Sequence, residues 1–163
     1  MVRLAAERPE HGPAIERLLD TAFGEARWAK TCQRLRDGRT PEPGLSLVAL
    51  AGEELVGTVR LWTVRIGRKR GLMLGPLAVD QAWRSEGVGA RLMEEALKRA
   101  TDAGEDSVFL VGDPAYYRRF GFRRDLATGL VLPGPVEGER LIARELRPGA
   151  LAGASGLVLP LAA

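Results

Sequence analysis

Within RSEGVG, residues 84–89, glycines at 87 and 89 remove side chains from a turn that runs straight into an amphipathic stretch. Those residue types at that spacing suit a diphosphate. Backbone N–H groups can approach the anion closely, and a helix beginning near Val88 offers unbonded N–H groups and the positive end of its dipole. The chemistry expected of the turn is recognition of an anionic cofactor, although glycines also serve strand-to-helix turns that bind nothing. The turn has neither the Gly-Lys-Ser/Thr ending of a P-loop nor the three-glycine pattern of a dinucleotide fold, which weakens both nucleotide readings.

The elements around the turn follow from periodicity. Leu72–Val79 reads as an apolar strand leading into it. From Val88 onward, Leu92, Met93, Ala96, Leu97 and Ala100 share one helical face, while Arg91, Glu94, Glu95, Lys98 and Arg99 fall mostly on the other. Glu94 and Glu95 precede Lys98 and Arg99 by four residues, the favourable order for helical charge pairs, and Gly104 supplies a left-handed stop. Val108–Val111 is then expected parallel to the strand before the turn, joined through a βαβ crossover.

Upstream, the pattern predicts a strand at Val2–Ala6, a helix at Pro13–Phe23 and a second helix at Glu25–Arg36 closed by Gly38. A turn at 41–44 leads to a hairpin of Leu45–Ala51 and Leu55–Ile66, followed by a basic turn from Gly67 to Gly71. Downstream, Asp113 and Pro114 open a short helix. Leu130–Leu132 and Leu141–Leu146 would complete the sheet. The tail Leu151–Ala163 is interrupted by Gly153, Gly156 and Pro160, too short to span a membrane, and is expected to pack on an edge or on another subunit.

With 163 residues and no internal repeat or low-complexity linker, the chain is expected to be one domain, 1–163. The net charge of +3 is spread along the chain, with short clusters at Arg68-Lys69-Arg70 and at Arg118-Arg119 with Arg123-Arg124. Nucleic-acid binding would want a denser basic stripe, and the mild excess suits a polyanionic cofactor instead. Cys32 is the sole cysteine, so no internal disulfide can form, and the first residues lack the apolar core of a signal peptide; a cytoplasmic location is expected. Cys32 shares a helical pattern with Trp28 and Leu35 and reads as a packing residue. Lone His11 reads as a turn residue, and no metal site is expected.

Two motifs in order resemble the GNAT superfamily of acyl-CoA-dependent N-acyltransferases. PLAVDQAWRSEGVGARLM is similar to that family's strand, Arg/Gln-x-x-Gly-x-Gly/Ala loop and helix, and YYRRFGF, residues 116–122, is similar to its Tyr-x-x-x-Gly-Phe element, here after the strand SVFLVG. LSLVALAGEELVGTVRLWTV also looks like the family's early hairpin, and the whole is similar to a bacterial subgroup of predicted N-acetyltransferases. The resemblance implies an α/β fold whose central sheet is mixed and mostly antiparallel, of about six or seven strands, splayed at a parallel β-α-β cofactor site and flanked by helices.

It also implies acetyl-CoA as co-substrate, with no metal. Backbone groups of Ser85, Glu86, Gly87, Val88, Gly89 and Ala90 would wrap the pyrophosphate, and Arg84 takes the family's Arg/Gln position. Leu77, Ala78 and Val79 would face the pantetheine arm, the Val79 N–H donating to the acetyl oxygen. Tyr117 would point at the thioester sulfur, where a phenol of ordinary pKa, about 10, can protonate the departing thiolate. Tyr116 sits one step off that position, and Phe120, Phe122 and Trp83 read as packing.

Three departures stand out. The strand before the tyrosine motif has no acid until Asp113, leaving Asp80, Glu25 and Asp113 as candidate bases. Asp113 lies within four residues of Tyr117, where many relatives place an asparagine about seven residues ahead as a coenzyme anchor. Glu86 puts a negative charge where relatives often carry a basic or neutral residue. The activity expected is acetyl transfer to a small-molecule amine or a protein amino group, with early helices and a final hairpin around the acceptor, near Arg27, Trp28, Trp62 and Arg140. The competing readings are a non-catalytic acyl-CoA-binding module and, more distantly, a nucleic-acid-associated protein. Dimerisation is expected by analogy with the family alone.

Overall fold

A computed structural model describes residues 1–161. Strands β1 (Val2–Ala6), β2 (Leu47–Ala51), β3 (Glu54–Ile66), β4 (Lys69–Val79), β5 (Ser107–Val111) and β7 (Leu141–Glu145) lie side by side in the order β1-β2-β3-β4-β5-β7. All these neighbours are antiparallel except β4 and β5, which are parallel as the crossover requires. Long β3 has length to spare. Its first half pairs with β2, and its last residues, Val64–Ile66, pair with β8 (Gly156–Pro160), which in turn carries the short β6 (Leu130–Val131). The C-terminal tail thus packs on a sheet edge within its own chain.

The period-2 alternation of the strands sorts side chains to two faces. Leu47, Ala49, Leu61, Leu72 and Leu110 face α2 (Val88–Asp102), which buries Val88, Leu92, Met93, Ala96, Leu97 and Ala100 against them. Val48, Leu50 and Ala78 point the other way, onto Ile15, Leu18 and Leu19 of α1 (Gly12–Phe23). The predicted α2 face is the buried one, and Gly104 takes the left-handed φ of 83° just past its end.

The expected helix at Glu25–Arg36 does not form. Two 3₁₀ turns replace it, Glu25–Ala29 and Thr31–Leu35, broken at Lys30, whose ψ of 144° is extended. Tertiary contacts override the helical pattern: the Thr31 hydroxyl donates to the Pro135 carbonyl, and Arg34 Nη1 donates to the Pro133 carbonyl at 2.5 Å. Cys32 and Leu35 are thereby buried beside Trp62 and Met73. The basic turn is also tighter than expected, since β4 already begins at Lys69.

Candidate active site

The parallel pairing of β4 with β5 is brief, spanning Leu72↔Val108 and Met73↔Phe109. Beyond it β4 bulges: Leu74 and Leu77 sit opposite Leu61 and Val59, so Gly75 and Pro76 together face Arg60 alone. Pro76 has no N–H to give to a neighbour, and Gly75 adopts φ 138°. The Trp62 indole fastens the bulge by donating to the Gly75 carbonyl at 2.6 Å. Past the bulge the two parallel strands separate.

The separation leaves backbone groups without a strand partner. Asp80 N–H donates to the Val56 carbonyl at 2.8 Å, which makes Val56 and Asp80 a bonded antiparallel pair. Along the same register Thr58↔Ala78 is the next bonded pair, so Leu77 and Val79 turn their N–H and C=O groups to the opposite edge, toward the gap. The Val79 carbonyl meets Arg84 Nε at 3.4 Å.

At the far end of β4 the turn takes the shape its sequence predicts. Ser85 has φ 70°, the one non-glycine residue with positive φ among the described residues, and Gly87 follows in the left-handed region at φ 77°. A Cβ on Gly87 would meet nothing within 4 Å, so the inner curve of the turn is open. The first α2 bond back to the turn is Arg91 N–H to Gly87 carbonyl, 3.0 Å, which frees the N–H groups of Val88, Gly89 and Ala90 for an anion. Buried Val88 anchors the helix start, whereas Arg84, Ser85 and Glu86 are exposed. The Arg84 side chain, whose Nε meets the Val79 carbonyl, also borders a second depression lined by α1, the β2–β3 hairpin and the end of β4.

Tyr116 and Tyr117 end the four-residue helix α3 (Pro114–Tyr117), capped by the Asp113 carboxylate on the Ala115 N–H at 3.0 Å. Gly112 sets the position of Tyr117, because a Cβ there would lie 2.6 Å from the ring. Tyr116 stands edge-on to Tyr117, ring centroids 4.9 Å apart, and its hydroxyl lies 3.3 Å from where a Cβ on Gly89 would be, with Val79 on the other side at 3.6 Å. Turn, strand end and tyrosine motif therefore meet at Gly89.

Burial pushes the Tyr117 phenol up to about 12, helped by Tyr116 and Asp113 and opposed by Arg140; burial also raises Tyr116. These are the two tyrosines of the chain, so an absorbance titration reads them alone. Less than half of the phenolate signal is expected at pH 10, where free tyrosine is about half ionised. The folded protein holds the Tyr117 proton more tightly than the unfolded chain does. Stability is therefore expected to fall between pH 10 and about 12, which denaturant midpoints across that range would check.

Tyr117 opens onto a cavity of about 900 Å³ lined by Leu74–Leu77, Leu110–Asp113, the two 3₁₀ turns and residues 135–137 with Arg140. A strand gap beside a glycine turn at a helix start, with a protonated phenol over an acceptor-sized cavity, is an arrangement for group transfer from an anionic carrier. Residues 12–122 match the Acetyltransferase (GNAT) family. The chain belongs to that family.

Among GNAT relatives, the Escherichia coli (strain K12) protein named Uncharacterized N-acetyltransferase YhbS is 32% identical over 159 residues, 95% of this chain and 93% of that protein. The crystal structure of Escherichia coli YhbS in complex with CoA superposes with a TM-score of 0.84 at 29% identity, covering 98% of this chain and 89% of that one. A GNAT acetyltransferase from Brucella melitensis, solved in complex with acetyl-CoA, gives 0.64 at 26% identity, covering 88% and 95%. The fold likeness extends over the mixed sheet with its parallel pair, which has eight strands among the described residues.

Several residues take plainer positions than the sequence suggested. Asp80 and Asp113 both cap short helices, at 2.9 and 3.0 Å, and Glu25 is absent from the cavity wall. Asp113 and Glu137 are the carboxylates that do line it. Arg27 and Arg140 reach the cavity, Trp62 is buried beneath it, and Trp28 is exposed beside it. His11 accepts the Arg8 N–H on Nδ1 at 2.9 Å, a turn contact, and Phe120 and Phe122 are core residues. Sequence reasoning missed Gly112, Glu137 and Arg36. A glycine after an apolar strand signals Gly112 weakly, but nothing local marks the other two.

Proposed function

We propose that residues 1–163 act as one N-acetyltransferase domain, moving an acetyl group from acetyl-CoA to an amine by direct attack on the thioester. The observation that carries this reading is the gap beyond Met73↔Phe109, with the Leu77 and Val79 backbone on one side and Tyr117 on the other. The residues fit the coenzyme: the open curve at Gly87 and the free N–H groups of Val88, Gly89 and Ala90 suit a diphosphate, with Ser85 and Glu86 contributing backbone, and the unpaired edge of Leu77–Val79 suits an amide-bearing arm. Exposed Glu86 can hold its charge in solvent rather than against the phosphates.

In the reaction a neutral amine attacks the thioester carbonyl carbon. The Val79 N–H donates to the oxygen as charge develops there. As the carbon–sulfur bond breaks, the thiolate takes the phenolic proton of Tyr117 and leaves as the free thiol. The nitrogen gives up its extra proton to water or to a cavity carboxylate, Asp113 or Glu137, and Tyr117 is reprotonated from solvent. The acceptor enters from the cavity side, as a small-molecule amine or a protein amino group. The proposed location is cytoplasmic, in keeping with a single buried cysteine that has no partner in its own chain.

Acetyl-CoA at a hundred times its Kd is expected to stabilise the fold by about 2.7 kcal/mol, visible as a raised Tm. Amine panels should then release free thiol. An unmoved Tm would remove the coenzyme site. A raised Tm with no thiol release from any amine would favour the non-catalytic binding module instead.

A further inference from the structure

Arg36 stands at the end of the second 3₁₀ turn, on the cavity wall. Its neighbours are neutralised. Arg27 pairs with Glu16 and Asp20, both at 2.9 Å, and Arg60 pairs with Glu7 at 3.0 Å and Glu16 at 3.1 Å. Those contacts use Glu7, Glu16 and Asp20, while Asp37, next to Arg36 in the chain, accepts from Gln33 Nε2 at 2.8 Å. Among the described residues the Arg36 guanidinium makes no ion pair and donates no hydrogen bond, and its Nε is buried without a partner. A guanidinium stays charged in any protein, so a half-buried one without an ion-pair partner leaves a cation that an anion in the cavity would balance. Nη2 lies 3.1 Å from where a Cβ on Gly75 would stand, over the bulge that opens the strand gap.

We propose that the acceptor amine carries a carboxylate, and that Arg36 binds it. The inference rests on the acetyl-transfer reading and names the substrate class for the same site. Paired N–H groups of a guanidinium match the two oxygens of one carboxylate, a fork that an ammonium cannot reproduce. The charge count favours a monoanion over a phosphate dianion. With Arg27 committed, Lys30, Arg36 and Arg140 face Asp113 and Glu137 across the cavity, an excess of one positive charge. Gly75 precedes Val79 by four residues, about 13 Å of strand, so the acceptor has room between its carboxylate and its amine.

The test uses straight-chain ω-amino acids of increasing length, from glycine to 6-aminohexanoate, each beside its carboxamide and its phosphonate analogue, with acetyl-CoA and the full chain. The wild-type protein is expected to prefer at least one carboxylate over its carboxamide by about tenfold to a hundredfold in kcat/KM, the range of a charge-assisted hydrogen bond. Arg36→Gln should abolish the preference, and Arg36→Lys, which keeps the charge without the fork, should retain only part of it. Equal use of acids and amides, preference for phosphonates, no use of any acid, or a preference that survives Arg36→Gln would overturn the proposal. Should both variants fail to fold, the wild-type comparison decides alone. Acetyl-CoA calorimetry on the same samples separates this failure from failure of the acetyl-transfer reading: with coenzyme binding and turnover of uncharged amines intact, only the carboxylate assignment falls.

Discussion

Gly89→Leu is expected to weaken acetyl-CoA binding by at least about a hundredfold, some 2.8 kcal/mol, while the protein still folds. A Cβ at position 89 would approach the Tyr116 hydroxyl at 3.3 Å and Val79 Cγ2 at 3.6 Å, and the hydroxyl is the free end of a side chain that can swing away. Position 89 also lies in the first turn of α2, where leucine is a better helix former than glycine. The remainder of a leucine side chain would then occupy the space where turn, strand end and tyrosine motif converge. Gly87→Ala tests the turn from another side: its Cβ would meet no protein atom, so the cost to the fold is the left-handed backbone, about 1 kcal/mol, while a methyl group in the open curve should also weaken acetyl-CoA binding. Calorimetric titration with acetyl-CoA, beside a thermal melt of each variant, checks both. Affinity at position 89 within a few-fold of wild type would mean that the coenzyme does not pass the start of α2.

What the sequence revealed and what it hid divide along the range of the interactions. The α2 stripe, the glycine turn, the parallel partner expected at Val108–Val111 and the Asp113-Pro114 helix start are all written in residues close together in the chain, and local sterics or periodicity suffice to read them. The break at Lys30 is not local. It depends on Thr31 and Arg34 reaching carbonyls about a hundred residues away, contacts for which the 25–36 stretch itself carries no signal. Pairing of Gly156–Pro160 with β3 was hidden for the same reason, since an isolated tail cannot show which edge lies vacant. The turn and Tyr117 could be named because each sits in a compact motif. Arg36 could not, because in sequence it is one arginine of many, and its distinction is a half-buried guanidinium on the cavity wall that pairs with no acid, while Glu16 and Asp20 are taken by other arginines.

The same division bears on the basic clusters, which looked available for a polyanion. In the fold Arg70 pairs with Glu105 at 2.9 Å, Arg123 pairs with Asp125, Lys69 donates to the Ala150 and Ala152 carbonyls, and Arg119 stacks over Tyr116 at 4.6 Å. Exposed pairs of this kind contribute about 0–1 kcal/mol each. The clusters are therefore neutralised only in part, since Arg68, Arg118 and Arg124 make no ion pair among the described residues.

Tyr117→Phe is expected to lower kcat by about a hundredfold, the lower end of what a positioned general acid contributes, with acetyl-CoA affinity unchanged. Phenylalanine keeps the ring that packs against Phe120 and Phe122, at 6.5 and 6.1 Å between centroids, so the loss should lie in proton delivery and not in the fold. Because burial holds the phenol up to about 12, the wild-type acid stays protonated through the working range. The wild-type rate should therefore climb as the acceptor amine deprotonates, with no descending limb from this group below pH 10. Tyr116→Phe should behave differently, changing coenzyme affinity more than kcat, since that hydroxyl lies at the turn. Gly112→Ala approaches the same acid by displacement: a Cβ 2.6 Å from the ring forces Tyr117 aside and should reduce kcat even though the hydroxyl is still present. Single-turnover rates for the three variants separate these roles. If Tyr117→Phe transfers acetyl as fast as wild type, the thiolate must leave unassisted or take its proton from water, and Tyr117 is reduced to a wall of the gap. A slow Gly112→Ala beside a fast Tyr117→Phe would say that the ring matters there through its shape alone.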